Sequence, residues 1–255
     1  MRVPDSTGVL ADGRPLAFDW TDPVHTIISG RTGSGKSAGL YGVLLRAAAD
    51  PRVQVWGVDP GEVTLNPFAA AHPDRFVLGT ASGEAVVALL TRLVEIMTDR
   101  LARLRRLGVD KVPSQLYSPE IPTILVVLEE WGGTFTAYER KVTQQIAALV
   151  GRLLREARKT GISVATVLQR PEAALLPDRA QYGRVLDYAL DNADSVRMTM
   201  PTASPADIEW LTSKIPAGQG LLLDPNLGGP HRFRSAWLPY EAYTAGVRQL
   251  LRQRA

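Results

Sequence analysis

Eight consecutive residues, Gly30-Arg31-Thr32-Gly33-Ser34-Gly35-Lys36-Ser37, satisfy the pattern G-x-x-x-x-G-K-[ST] in full. Residue types at this spacing suit the gripping of a polyphosphate. The glycines let the backbone turn tightly and aim its N–H groups at phosphate oxygens. A helix beginning near Lys36 adds the positive end of its dipole to the same point. Lys36 is then placed to reach the β- and γ-phosphates of ATP, and the Ser37 hydroxyl to ligate Mg²⁺. The same letters in a flexible loop would mean nothing, but the flanks supply the strand and helix this chemistry needs. Residues 25–29 (HTIIS) form a short apolar run before the loop, and residues 37–49 have helix-forming composition after it.

A phosphate cradle needs an acid near the metal and a group that aligns the attacking water. Glu129 and Glu130 follow the apolar run 124–128 (ILVVL), at the end of a strand, where ligands meet an open parallel sheet. The first acid in such a pair is usually Asp. Here Glu129 is the candidate for the magnesium shell, and Glu130 for orienting or deprotonating the water. The plain alternative is a solvated turn. Gln169 ends the run 162–168 (ISVATVL) and would sit beside the γ-phosphate if that strand neighbours the glutamate strand. There it would sense whether the γ-phosphate is present; otherwise it is an ordinary strand-end amide.

The elements that must position these groups alternate between strands and helices, which points to an α/β fold with a mostly parallel sheet covered by helices on both faces. Strands are expected at 53–58 (VQVWGV), 124–128 and 162–168, with a last one opening at 220–223. Val86, Leu90, Leu93, Met97, Leu101 and Leu104 recur at three- and four-residue steps and predict a helix over 84–107. A second helix is expected over 142–159, and residues 131–141 (WGGTFTAYERK) read as a mobile connection. The 255 residues, 45% of them hydrophobic, are enough for one large domain, with residues 1–23 as a short lead-in and 24–255 as the domain itself. Without cysteine there is neither a thiolate metal site nor a disulfide. No apolar run approaches the roughly 20 residues of a membrane helix, so a cytoplasmic location is expected. The net charge of +3 is too small to argue for nucleic acid unless the basic residues cluster.

From His25 onward these segments resemble the FtsK/SpoIIIE family in order and spacing. PVHTIISGRTGSGKS is similar to P-H-x-x-I-A-G-x-T-G-S-G-K-S, VQVWGVDPGEVTL to I-D-P-K…E-L, ILVVLEEW to V-V-I-D-E-F, and EARKTGISVATVLQRP to R-A-x-G-I-H-x-x-x-A-T-Q-R-P. GQGLLLDPNLGGPHRFRSAWLPYEAY follows the family's closing segment. The resemblance implies a RecA-like fold, assembly into a homo-hexameric ring, and ATP-driven movement of double-stranded DNA by contacts to its backbone. In such rings an arginine from the neighbouring subunit completes the site. Arg158 and Arg197 both match arginine-bearing segments of the family, and each could equally be a structural ion pair.

The departures from the family are specific. Its D-S-R is replaced by Ala206-Asp207-Ile208, and its Gly-Asp by Gly220-Leu221. Only 29 residues precede Gly30, so the expectation is a stripped motor of plasmid or phage type, working in conjugation, packaging or segregation. Two arginine groups could meet DNA phosphates. One is Arg100, Arg103, Arg105 and Arg106, which would also complement a helix C-terminus. The other is Arg152, Arg155, Arg158 and Lys159, and Arg140 and Lys141 could follow a strand of DNA from the 131–141 segment. Two other readings stand beside the DNA motor. One is an ATPase that drives protein secretion; the other is a nucleotide-dependent binding module with little turnover.

Overall fold

The computed structural model describes every residue except 1, 2, 4, 177 and 255, and omits the side chains of 134–136 and 174. Ten strands form one sheet: β1 (Gly8–Leu10), β2 (Pro15–Leu16), β3 (Thr26–Ser29), β4 (Val53–Asp59), β5 (Phe76–Leu78), β6 (Thr123–Leu128), β7 (Ile162–Leu168), β8 (Arg184–Tyr188), β9 (Gln219–Leu223) and β10 (His231–Ser235). Their order is β2-β1-β10-β9-β8-β3-β7-β6-β4-β5. The six strands from β8 to β5 pair in parallel. The four at the other end pair antiparallel. The longest helices are α1 (Lys36–Ala49), α3 (Gly83–Leu107), α5 (Arg140–Glu156) and α8 (Tyr240–Arg252). Shorter ones are α2 (Asn66–Ala69), α4 (Trp131–Ala137), α6 (Ala193–Thr199) and α7 (Pro205–Thr212).

The central strands read as unbroken apolar runs because successive side chains enter opposite cores. On β6, Val126 packs with Leu90, Leu93 and Met97 of α3 and Ile146 and Val150 of α5. Val127, one residue on, packs with Leu40 and Leu44 of α1 and Tyr243 and Val247 of α8. All of these side chains are buried.

Four sequence expectations change. The last strand is β10, not the one at 220–223; its alternating His-Arg-Phe-Arg-Ser buries only Phe233 and Ser235 and so carries little apolar signal. Residues 8–16, read as lead-in, supply two strands of the same sheet. The helix expected over 142–159 starts at Arg140 and stops at Glu156, followed by a single tight turn, Arg158–Thr160, that Gly161 ends at φ 82. Residues 131–141, read as a mobile connection, hold α4 and the start of α5. Glu130, at φ 43, turns the chain in a single residue, and Trp131 is fully buried.

Arg100 also differs from expectation. It was grouped with possible DNA contacts, but one guanidinium nitrogen donates to the Thr160 carbonyl at 2.8 Å and another to that of Pro122 at 2.9 Å. It thereby ties α3 to the starts of β6 and β7. Arg100→Ala leaves two carbonyls without a donor and is expected to cost about 1–3 kcal/mol in urea unfolding. Loss of Arg103, Arg105 or Arg106, all exposed, is expected to change stability by less than about 0.5 kcal/mol each.

Candidate nucleotide site

The residues 30–37 loop joins the C-terminal end of β3 to α1. It is fixed from below: Gly30 N–H donates to the Leu168 carbonyl at 3.2 Å and Arg31 N–H to that of Ala189 at 2.8 Å, tying it to β7 and to the chain beyond β8. The Arg31 guanidinium donates to the carbonyls of Leu190 and Ser213. Gly33 and Gly35 have φ 78 and φ 87, a region costly for other residues. At Gly35 a Cβ would lie 2.3 Å from the Gly218 nitrogen, and Gly218 N–H donates to the Ser34 carbonyl at 2.8 Å. The loop is therefore backed directly by a second stretch of backbone. The N–H groups of Thr32, Gly33, Gly35 and Lys36 make no bond to the chain among the described residues. They line, with Ser37, Ala38 and Gln169, a cavity of about 360 Å³.

β7 lies between β3 and β6, so the C-terminal ends of all three strands stand side by side at the edge of the sheet that holds this cavity. A hydrogen-bonded chain crosses it. Gln169 Nε2 donates to Glu130 Oε1 at 3.0 Å, and the Thr32 hydroxyl donates to Gln169 Oε1 at 3.5 Å. Glu130 and Gln169 are exposed, whereas Glu129 is buried and turned the other way. Glu129 Oε1 accepts from the Thr64 hydroxyl at 3.2 Å, and Oε2 is buried with no partner. Burial pushes the Glu129 carboxyl above its ordinary range. The nearby Lys36 ammonium opposes that rise, while Asp59 and Glu130 add to it. Lys36 forms no ion pair among the described residues. The orphaned, buried Glu129 oxygen is a hard donor of the kind a divalent cation takes, and Ser37 beside Lys36 offers a second oxygen.

Two supporting carboxylates, Asp59 and Asp187, were not singled out from the sequence. Asp59, at the end of β4, accepts from Gly61 N–H at 3.1 Å and Leu65 N–H at 2.8 Å, shaping the turn that presents Thr64 to Glu129. The strand-ending Asp-Pro-Gly was the available signal. Asp187, at the end of β8, is wholly buried under the loop, where it accepts from the hydroxyls of Ser29 and Thr199. Burial pushes its carboxyl up to about 7, against the pull of those two hydrogen bonds. Its partners lie far off in sequence, and no spacing would reveal them.

The arginine candidates separate. Arg158 is at the opposite, N-terminal edge of the parallel strands, donating to the Pro23 carbonyl at 3.0 Å and pairing with Asp22 at 3.6 Å. Arg197 lies on α6, which follows β8 at the nucleotide edge; it is exposed and, among the described residues, pairs with Asp194 at 3.3 Å. Of the second basic group, Arg152 pairs with Glu156 and Arg155 with Asp178. Arg103, Arg105, Arg106, Arg140, Lys141 and Lys159 are exposed without an ion pair among the described residues.

The FtsK/SpoIIIE family model matches residues 2–174. The DNA translocase FtsK of Lactococcus lactis subsp. cremoris is 27% identical over 184 residues, covering 66% of this chain and 24% of that relative. The chain thus spans about a quarter of the length of the curated relatives it matches. Among solved structures, the pCW3 conjugation coupling protein TcpA, in a monomer form with ATPγS, superposes with a TM-score of 0.78 at 18% identity. That superposition covers 99% of this chain and 72% of TcpA. The cytoplasmic domain of the Thermomonospora curvata Type VII secretion ATPase EccC gives 0.70 at 22% identity, over 97% and 31%. These likenesses establish the RecA-like P-loop fold.

Proposed function

Because the chain belongs to the FtsK/SpoIIIE family, we propose that it is the ATP-hydrolysing motor module of a double-stranded DNA translocase working in the cytoplasm. The observation that carries this reading is a cavity lined by the residues 30–37 loop with Lys36 and by Gln169, whose amide is hydrogen-bonded to Glu130 on the neighbouring strand end.

In this reading the free amides of residues 32–36 hold the phosphates, and Lys36 bridges the β and γ groups. Ser37 and Glu129 would hold Mg²⁺, which would supply positive charge to offset that of the phosphate oxygens. Glu130 positions the attacking water and draws off its proton. Gln169 touches both Glu130 and Thr32, so the presence or loss of the γ-phosphate is passed to Glu130 and on to α4. In a hexameric ring Arg197 is the better placed of the two arginines to reach a neighbour's γ-phosphate. Arg158 is held at the far edge by Pro23 and Asp22.

DNA contact falls to the exposed cations and to phosphates rather than bases. The test is ATPase rate against duplex DNA concentration at two salt levels. A DNA-stimulated rate is expected, with apparent affinity falling steeply as salt rises. Lys36→Ala should lower the rate at least about 100-fold by removing the charge that meets the transferring group. A rate unchanged by duplex DNA would remove the translocase reading. Stimulation by a polypeptide instead would select a secretion motor.

A further inference from the structure

We propose that Trp237 is the platform on which the nucleoside base of the bound triphosphate stacks. The inference rests on the nucleotide-site reading above and assigns that site's other end. Glu130 and Gln169 follow β6 and β7 and so fix the γ-phosphate on one flank of the 30–37 loop. The α-phosphate, ribose and base must then leave across the loop, toward β8, β9 and β10. β10 is antiparallel to β9, and β9 to β8, so β10 ends at the same edge of the sheet as the loop. It arrives beside the loop itself. Ser235 N–H donates to the Gly218 carbonyl at 2.8 Å, and Gly218 N–H to the Ser34 carbonyl at 2.8 Å.

The chain then passes along the first turns of α1. The Ser235 hydroxyl oxygen lies 2.8 Å from where a Cβ on Gly39 would be. Beyond it, the ring of Tyr240 is 5.7 Å from that of Tyr41. Trp237 sits between these two points. Its neighbours on the chain are tied down: Ala236 N–H donates to the Thr7 carbonyl at 2.8 Å, and Leu238 packs on the α1–α8 core. Trp237 itself is 79% exposed, more than any other large hydrophobic residue described. It makes no ring or cation contact among the described residues. An indole held out on a fixed backbone offers a flat face for a purine, with no demand on which purine it is.

Binding of ATPγS and of inorganic tripolyphosphate, each with Mg²⁺, tests this in the wild type, Trp237→Ala and Trp237→Phe. Trp237→Ala should weaken ATPγS binding about tenfold, as loss of one aromatic–base stack does, and leave tripolyphosphate binding unchanged. Trp237→Phe should restore most of the ATPγS affinity. The side chain is exposed, so neither variant should disturb folding. Unchanged ATPγS binding by Trp237→Ala, or equal loss of both ligands, would overturn the proposal. If the wild type binds neither ligand and Lys36→Ala makes no difference, the nucleotide-site reading itself falls, and the platform with it.

Discussion

Glu130→Gln is expected to bind ATP as tightly as the wild type and to hydrolyse it about 10²- to 10⁴-fold more slowly, the range for loss of a general base. The substitution keeps the length of the side chain and an oxygen that can still accept from Gln169 Nε2, so the Thr32–Gln169 chain stays in place. Only the ability to take a proton is lost. The backbone also bears on the choice of variant. Glu130 has φ 43, a conformation that costs a residue with a Cβ about 1–2 kcal/mol, and such strain tends to gather where function needs it. Glu130→Gly would relieve that strain while removing the carboxylate, so it would mix a gain in stability with the loss of activity. Single-turnover hydrolysis measured alongside nucleotide binding separates the effects. If Glu130→Gln turns over at the wild-type rate, the base lies elsewhere.

Asp187→Asn is expected to change how stability depends on pH. The Asp187 carboxyl is wholly buried and has no cation partner among the described residues; burial raises it from an ordinary 3.8 to about 7. A carboxyl raised in the folded state binds its proton more tightly there than in the unfolded chain. Its contribution to stability is therefore full below about pH 4 and is lost progressively as pH rises to about 7. At 1.36 kcal/mol per decade, the difference between 3.8 and about 7 sets an upper bound of about 4 kcal/mol. Asn keeps the shape and can still hydrogen-bond both Ser29 and Thr199, but it has no charge to bury. Urea midpoints from pH 5 to 8 should decline for the wild type and be flatter by this contribution for Asp187→Asn, leaving the variant more stable at pH 8. Parallel profiles would show that Asp187 does not set the dependence.

The parts of the site legible in the sequence were those whose signal is local. The residues 30–37 motif is contiguous, and Glu129, Glu130 and Gln169 each end an apolar run long enough to read as a buried strand. Of the parallel strands, β3, β4, β6 and β7 followed from such runs, whereas the short β5 and β8 were not read from the sequence. What stayed hidden depends on contacts between distant segments. Thr64 meets Glu129, and Ser29 meets Asp187, across separations of 65 and 158 residues. β10 escaped notice because Arg232 and Arg234 interrupt its apolar positions. Residues 131–141 read as a mobile connection because Gly132 and Gly133 usually break helices. Here Gly132 allows close packing, since a Cβ there would stand 3.2 Å from Leu175. Arg100 shows the converse error. Counted as one of a row of surface cations, it spends its donors on two carbonyls inside the fold.

The contact of Gly35 with Gly218 makes the two sides of the phosphate loop mechanically unlike. On one side main chain rests on main chain with no side chain between, so little there can yield. On the other, the link to Glu130 runs through three flexible side chains joined by hydrogen bonds. A push generated when phosphate is gripped or let go would meet rigid resistance from the β9–β10 hairpin. It will be taken up as rearrangement on the Gln169 side. Any movement driven from this loop is therefore expected at α4, with the hairpin serving as the fixed frame against which it is measured.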